Sequence, residues 1–82
     1  MAEENQIVFI KWTDARIFTG QFSKEDALSK RAQVFNSVGY LVDKNPTITK
    51  IAHEITDDGE YRDILLIPTG SIINMKVLGV TP

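Results

Sequence analysis

The fold is decided by residues 56–73, which read TDDGEYRDILLIPTGSII. An Asp-Gly pair between two β-prone runs is the strongest short-range signal of a β-hairpin, and it stands here at positions 58–59. The apolar run that follows predicts a strand over 61–67, and a tight connection at 68–71 leads into a last strand over 72–78. This part of the chain is therefore predicted to be a meander of antiparallel strands.

The residues that precede this stretch add three more strands. Residues 34–43 and 47–56 are rich in β-branched and aromatic side chains, and Pro46 in the turn between them cannot donate to a strand ladder. Residues 7–13 form the first predicted strand, while residues 16–19 fit either a short strand or a loop. Five strands joined by short turns predict a mainly β fold, a small five-stranded barrel or sandwich.

One short helix is predicted after the first strand, over residues 24–32. The hydroxyl of Ser23 can accept from the amide of Asp26, and Glu25 adds negative charge to the first turn. The apolar face of this helix is small. We therefore expect the helix to lie across a sheet edge or a barrel end.

The length and composition limit the number of domains and the kinds of metal or disulfide site that the chain can form. The 82 residues are predicted to form one small β-barrel domain, 1–82, with a flexible polar N-terminus at 1–6. The sequence has no cysteine and one histidine, His53, so a disulfide framework, a Cys-based metal site and a His-rich metal site are excluded. We expect no metal and no cofactor.

Charge and hydropathy limit the kinds of partner that the protein can bind. A net charge of −2 and a pI of about 5.2 argue against a protein that binds nucleic acid through bulk positive charge. No apolar stretch approaches the ~20 residues of a membrane span. The N-terminus is acidic and polar, which is not the pattern of a signal peptide. These features predict a cytoplasmic protein that does not bind membranes.

Several predicted strands are apolar on both faces. The runs 64–67, 72–73 and 38–42 do not alternate polar with apolar side chains, as a half-buried strand of a monomer should. The outer face must then be covered by the helix or by another subunit, and one short helix is too small to cover three strands. We therefore expect a homo-oligomer.

The last two strands resemble those of SH3-like and Sm-like barrels. The resemblance covers about residues 34–79 and ends in residues 66–75, in which a strand, a one-turn corner containing Gly70 and an Ile-rich closing strand follow one another. It implies a ring in which the closing strand pairs with the neighbouring subunit, with RNA bound by polar and aromatic loop residues. The sequence lacks the Asp and the Asn-Gly-type motifs of that family and has Pro68 where an Arg is usual. These departures argue against Sm-type RNA binding.

A second resemblance covers residues 8–78 and concerns small proteins of bacteriophages and prophages. It rests on the short motifs Trp12-Thr13-Asp14-Ala15, Ser37-Val38-Gly39-Tyr40-Leu41-Val42, and Ile67-Pro68 with Ile72-Ile73. The resemblance implies a phage protein in the cytoplasm of the infected bacterial host. By analogy with other small oligomeric phage proteins, it suggests an anti-defence sponge that sequesters a nucleotide immune signal.

No set of residues typical of catalysis is present, so we expect no enzymatic activity. The five glycines are isolated and form no phosphate-binding loop. His53 is in phase with Ile51 and Ile55 on a predicted strand. It is expected either to be partly buried or to contact a ligand at a subunit interface.

Two pairs of neighbouring aromatic and arginine residues are candidates for nucleotide binding. Aromatic faces stack on bases, and arginine side chains bind phosphates. The candidate ligand-binding residues are Trp12, Arg16, Phe18, His53, Tyr61, Arg62, Thr69 and Ser71. Four of these residues also have a structural alternative: a core position for Trp12, a solvated charge for Arg62, and a plain corner for Thr69 and Ser71.

Three functions are compatible with these residues. The first is a non-catalytic phage protein that sequesters a small nucleotide at the subunit interfaces of a homo-oligomer. The second is an Sm-like ring that binds RNA or single-stranded DNA, which the acidic pI disfavours. The third is a protein-binding module that docks a host or phage protein.

Overall fold

The computed structural model describes residues 4–81 as an open, curled β-sheet with one short helix. The elements in chain order are β1 (Gln6–Asp14), α1 (Lys24–Ser29), β2 (Gln33–Lys44), β3 (Ile48–Ile55), β4 (Tyr61–Pro68), a 3-10 turn (Thr69–Ser71) and β5 (Ile72–Val80). All strand pairs are antiparallel, and the order across the sheet is β4-β3-β2-β1-β5. The prediction of a mainly β fold with five strands and one short helix is confirmed.

The sheet is not closed into the predicted barrel. The 3-10 turn Thr69–Ser71 joins β4 to β5, and β5 pairs with β1 on the opposite side of the sheet. β4 and β5 are therefore the two edges of the sheet. β4 also carries an irregularity at Asp63, whose φ of +58° is rare for a residue with a side chain. Residues 1–3 of the N-terminal segment that we expected to be flexible lie outside the described part, and Asn5 exchanges hydrogen bonds with Thr81.

The core forms because the sheet curls over on itself. Val8, Ile10 and Trp12 of β1 pack against Ile51 of β3 and Ile67 of β4, although β3 and β4 are not neighbours of β1 in the sheet. Leu41, Ile72 and Met75 pack around this cluster. The core is therefore small and lies between β1 and the β3–β4 hairpin.

At Gly39 of β2, atoms of the neighbouring strand β3 come very close to the backbone. A Cβ atom at this position would lie 2.8 Å from the backbone oxygen of Ala52 and 3.2 Å from two side-chain carbons of Ile51. The β2–β3 ladder also ends beside it, at the pair Tyr40 and Ala52. Glycine is required here because any side chain would push β3 away from β2.

The segment between β1 and β2, residues 15–32, projects from the sheet, and we call it the arm. All of its residues are exposed except Lys30, which is half-buried. α1 buries no residue and has no substantial contact with any strand, so the expectation that it lies across a sheet edge or barrel end is wrong. It also ends at Ser29 instead of residue 32, because a helix without tertiary packing gains little from another turn. Residues 16–19 form a loop.

The arm makes the molecule long and narrow. The structure measures 59 × 20 × 19 Å and has a radius of gyration of 16.6 Å. A compact domain of this length has a radius of gyration of about 12 Å. Much of the chain therefore lies away from the core.

Candidate functional site

The arm brings two aromatic rings and two cations together. The guanidinium carbon of Arg16 lies 4.6 Å from the centroid of the Phe18 ring. The ammonium nitrogen of Lys30 lies 4.6 Å from the centroid of Phe22 and 5.2 Å from that of Phe18. We call Arg16, Phe18, Phe22 and Lys30 the arm cluster. The sequence predicted Arg16 and Phe18 as candidates but not Phe22 and Lys30. These two lie beside Phe18 only because of the conformation of the loop.

Local backbone features set the path of this loop. The side chain of Asp14 accepts from the amide of Ala15, with 2.9 Å between nitrogen and oxygen, where the chain leaves β1. Gly20 has a φ of +117°, a conformation that residues with side chains rarely adopt, and it turns the chain between Phe18 and Phe22. The Ser23 hydroxyl then accepts from the amide of Asp26 at 3.1 Å, as predicted, and begins α1. Lys30 follows the end of this helix and contacts both rings.

The arm cluster has the chemistry to hold a small anion that carries an aromatic group. Both phenylalanine rings are partly exposed, and an exposed ring can stack on a base. Arg16 donates from Nη1 to Oε1 of Gln33 at 3.3 Å, and its guanidinium has five N–H donors in all. Arg16 and Lys30 together place two positive charges beside the rings, and such groups form strong hydrogen bonds with phosphate.

Trp12 lies in the core and not in the arm cluster. Its side chain is 8% exposed, stacks on Phe35 with 5.2 Å between ring centroids, and donates from Nε1 to Oγ of Ser37 at 3.1 Å. The indole therefore joins β1 to β2 at the root of the arm. Its proximity to Arg16 in sequence does not bring it into the cluster.

Tyr61 and Arg62 lie at the other predicted aromatic and basic position, the beginning of β4. The hydroxyl of Tyr61 donates to Oδ1 of Asn5 at 2.8 Å, and Arg62 is paired with Glu54 in the strand register. Residues 54–63, which we call the acidic end, hold five acidic side chains and one basic side chain. This environment repels anions, so Tyr61 and Arg62 are less suited to bind a phosphate group than the arm cluster is.

His53 is exposed on β3, although its position in phase with Ile51 and Ile55 predicted partial burial. The reason is that β2 no longer covers β3 beyond Ala52. The β3–β4 ladder is also irregular here, because the pair Ala52 and Ile64 is followed directly by the pair Glu54 and Arg62. His53 thus lies next to the Glu54–Arg62 pair of this ladder, and it belongs to a different part of the chain from the arm cluster.

Thr69 and Ser71 hold the turn between β4 and β5 in place. Oγ1 of Thr69 donates to the carbonyl oxygen of Asn45 at 2.7 Å and lies 2.9 Å from Oγ1 of Thr49. The carbonyl oxygen of Ser71 accepts from the hydroxyl of Thr13 at 3.5 Å. The hydroxyl of Thr69 is therefore occupied by contacts within the chain.

Residues 4–81 also form a concavity, which is lined by the acidic side chains of Glu4 and Asp43 and by no basic side chain. No group of three or more His, Cys, Asp or Glu side chains in this part of the chain could hold a metal ion. Within the same residues, no helix is long and apolar enough to cross a membrane.

A scan against protein-family models finds no match, and searches of curated protein sequences and of solved structures find no significant similarity either.

Proposed function

We propose that this protein is a non-catalytic, homo-oligomeric binding protein that takes up a small nucleotide at the arm cluster and holds it without cleaving it. The observation that carries this proposal is the contact of Arg16 and Lys30 with the partly exposed rings of Phe18 and Phe22. A base would stack on a ring face and the phosphates would bind the two cations.

The distribution of charge favours a small ligand over a long nucleic acid. The arm holds four basic and two acidic side chains, although the whole chain has a net charge of −2. A nucleotide fits within this local positive region. A longer RNA or single-stranded DNA would extend beyond it over a surface with a net negative charge, which weakens binding.

The biological role in this proposal rests on the resemblance to phage and prophage proteins. Sequestering a nucleotide immune signal in the cytoplasm of an infected bacterium requires tight binding and no chemistry. The SH3/Sm-like classification belongs to the same proposal, and the succession of β4, the turn Thr69–Ser71 and β5 supports it.

Isothermal titration calorimetry with a panel of mononucleotides, linear dinucleotides and cyclic dinucleotides tests the proposal. We expect at least one of them to bind, and to be recovered intact by chromatography after incubation. Phe18→Ala should weaken that binding by about five- to hundredfold, because base stacking on an aromatic ring contributes about 1–3 kcal/mol. Arg16→Ala and Lys30→Ala should also weaken it.

Lys44→Ala is the matched control, because it removes one exposed positive charge at the end of β2, outside the arm. It should leave the affinity unchanged. Failure of the wild-type protein to bind any nucleotide of the panel would contradict the proposal for these ligand classes. An equal loss of affinity in Lys44→Ala and Arg16→Ala would show that only overall charge matters.

A further inference from the structure

The arm exposes apolar side chains that residues 4–81 of the same chain leave largely uncovered. Ile17 is 91% exposed and Leu28 is 68% exposed, and α1 buries none of its residues. A six-residue helix is too short to be stable by itself in water. The arm therefore has the features of a segment that is completed by contact with another molecule.

The exposed area of the chain indicates how large that contact is. The accessible surface is 6325 Å². A monomeric protein of 9.2 kDa is expected to expose about 4,900 Å². The excess is about 1,400 Å². Each partner contributes about 800 Å² to a standard interface, so the excess is close to the combined area of two such patches. Two different patches on each chain are what a head-to-tail assembly of identical subunits needs.

The acidic end offers a surface that complements the arm. Its five acidic side chains and one basic side chain give it a net charge of −4, whereas the arm has a net charge of +2. Large apolar side chains are exposed in and beside the acidic end, at Tyr61, Ile64, Leu65 and Leu66. Both surfaces thus combine exposed apolar groups with charges of opposite sign, as specific interfaces do.

The backbone of β4 favours docking by side chains over the addition of another strand. Asp63 has a φ of +58° within the strand, and Pro68 ends it. An irregularity and a proline are two devices by which edge strands resist pairing with another chain. Only the short run between them, residues 64–67, presents a regular edge.

We propose that the arm of one copy of this chain docks on the acidic end of a second copy and so builds a head-to-tail homo-oligomer. This inference adds the location of the interface to the homo-oligomer of the proposed function, and it puts the arm cluster at the boundary between subunits. Assembly is measured without nucleotide, so the docking and the nucleotide binding can fail separately.

Charge reversal on each surface tests the docking. The full-length chain is studied by sedimentation velocity and native mass spectrometry in the absence of nucleotide. The first double variant, Lys24→Glu with Arg31→Glu, reverses two positive charges of the arm that do not belong to the arm cluster. The second, Asp57→Lys with Asp58→Lys, reverses two negative charges of the acidic end. Each double variant should weaken self-association by about tenfold or more, and added salt should weaken that of the wild type.

Mixing the two double variants distinguishes head-to-tail docking from other contacts. Each variant keeps one unaltered surface, so an equimolar mixture should regain assembly. An arm-to-arm contact would instead leave the variant with Asp57→Lys and Asp58→Lys able to assemble alone, because its arm is unaltered. The matched control is Lys11→Glu with Lys44→Glu, which makes the same change of charge outside the arm and should assemble like the wild type. Circular dichroism melting shows whether each variant is folded.

Cross-linking gives an independent measurement, because the chain has no cysteine of its own. A mixture of the single variants Ile17→Cys and Leu66→Cys should form disulfide-linked dimers that contain one of each chain. A wild-type protein that stays monomeric, charge reversals without effect on folded protein, or an absence of the mixed dimer would overturn the proposal.

Discussion

The strands and the arm use the same kinds of side chain in opposite ways. Trp12 and Phe35 stack at the root of the arm, and the indole is held there by Ser37. Phe18 and Phe22 lie a few residues further along and are partly exposed, with the cations of Arg16 and Lys30 over their rings. The difference arises because β1 has a strand on each side, whereas the arm has none. Trp12 thus stabilises the fold because neighbouring strands cover it, whereas Phe18 and Phe22, like Phe35 beside Trp12, keep part of their rings exposed.

The largest difference between the two regions is expected in stability. Ile10 is fully buried at the centre of the core. Ile10→Ala should lower the free energy of unfolding by about 2–5 kcal/mol, since it removes buried methylene groups and leaves a cavity. Urea unfolding at one fixed protein concentration measures this. A loss below 1 kcal/mol would mean that the small core does not hold the fold together.

A smaller loss is expected where β3 crosses β2. Gly39→Ala places a methyl group against the backbone oxygen of Ala52, which cannot move without displacing β3. The variant should lose about 1–3 kcal/mol of unfolding free energy, the range typical of overpacking. Gly70→Ala is a matched control, because a Cβ at Gly70 meets no atom within 4 Å. Equal losses in both variants would contradict the close approach.

Removal of the arm should cost the strands almost nothing. Asp14 and Gln33 are direct partners in the β1–β2 ladder, so a two-residue Asn-Gly turn can replace residues 15–32. We expect the shortened chain to keep its far-ultraviolet circular dichroism of β-sheet and its unfolding free energy to within about 1 kcal/mol, while nucleotide binding and self-association are lost. A shortened chain that no longer folds would show that the arm supports the sheet.

The smallest effect is expected for a single apolar residue of the arm. Leu28→Ala removes a side chain that is mostly exposed, and alanine favours the helix slightly more than leucine does. The unfolding free energy, measured at a concentration low enough to keep the chain monomeric, should change by less than about 0.5 kcal/mol. The same substitution should weaken self-association if the arm docks on a second copy. A large loss of monomer stability would place Leu28 against its own sheet.

The strands could be predicted from the sequence because their signals are local. Apolar and β-branched runs and the Asp58-Gly59 pair located β4 to within one residue at its C-terminal end, and the Ser23 cap located the beginning of α1. These features depend on neighbours in sequence, which a single chain displays directly.

The open sheet and the arm could not be predicted, because they depend on distant residues. Whether β4 meets β5 depends on the pairing of β5 with β1, whose paired residues are at least 60 positions apart in sequence. The contact of Lys30 with Phe18 and Phe22 depends on the turn at Gly20 and has no periodic pattern. The exposure of His53 follows from the end of the β2–β3 ladder, which the alternation of residues does not reveal.

The position of the arm has a consequence for proteolysis. Lys24, Lys30 and Arg31 are trypsin sites in or next to an exposed helix with no strand packed on it. A cut there leaves β1 as a separate peptide between β2 and β5, where its paired backbone and the buried Val8, Ile10 and Trp12 hold it. The nicked protein then consists of two fragments that together make one sheet. Neither fragment alone contains the whole core, so this chain is suited to fragment complementation, with assembly itself as the readout.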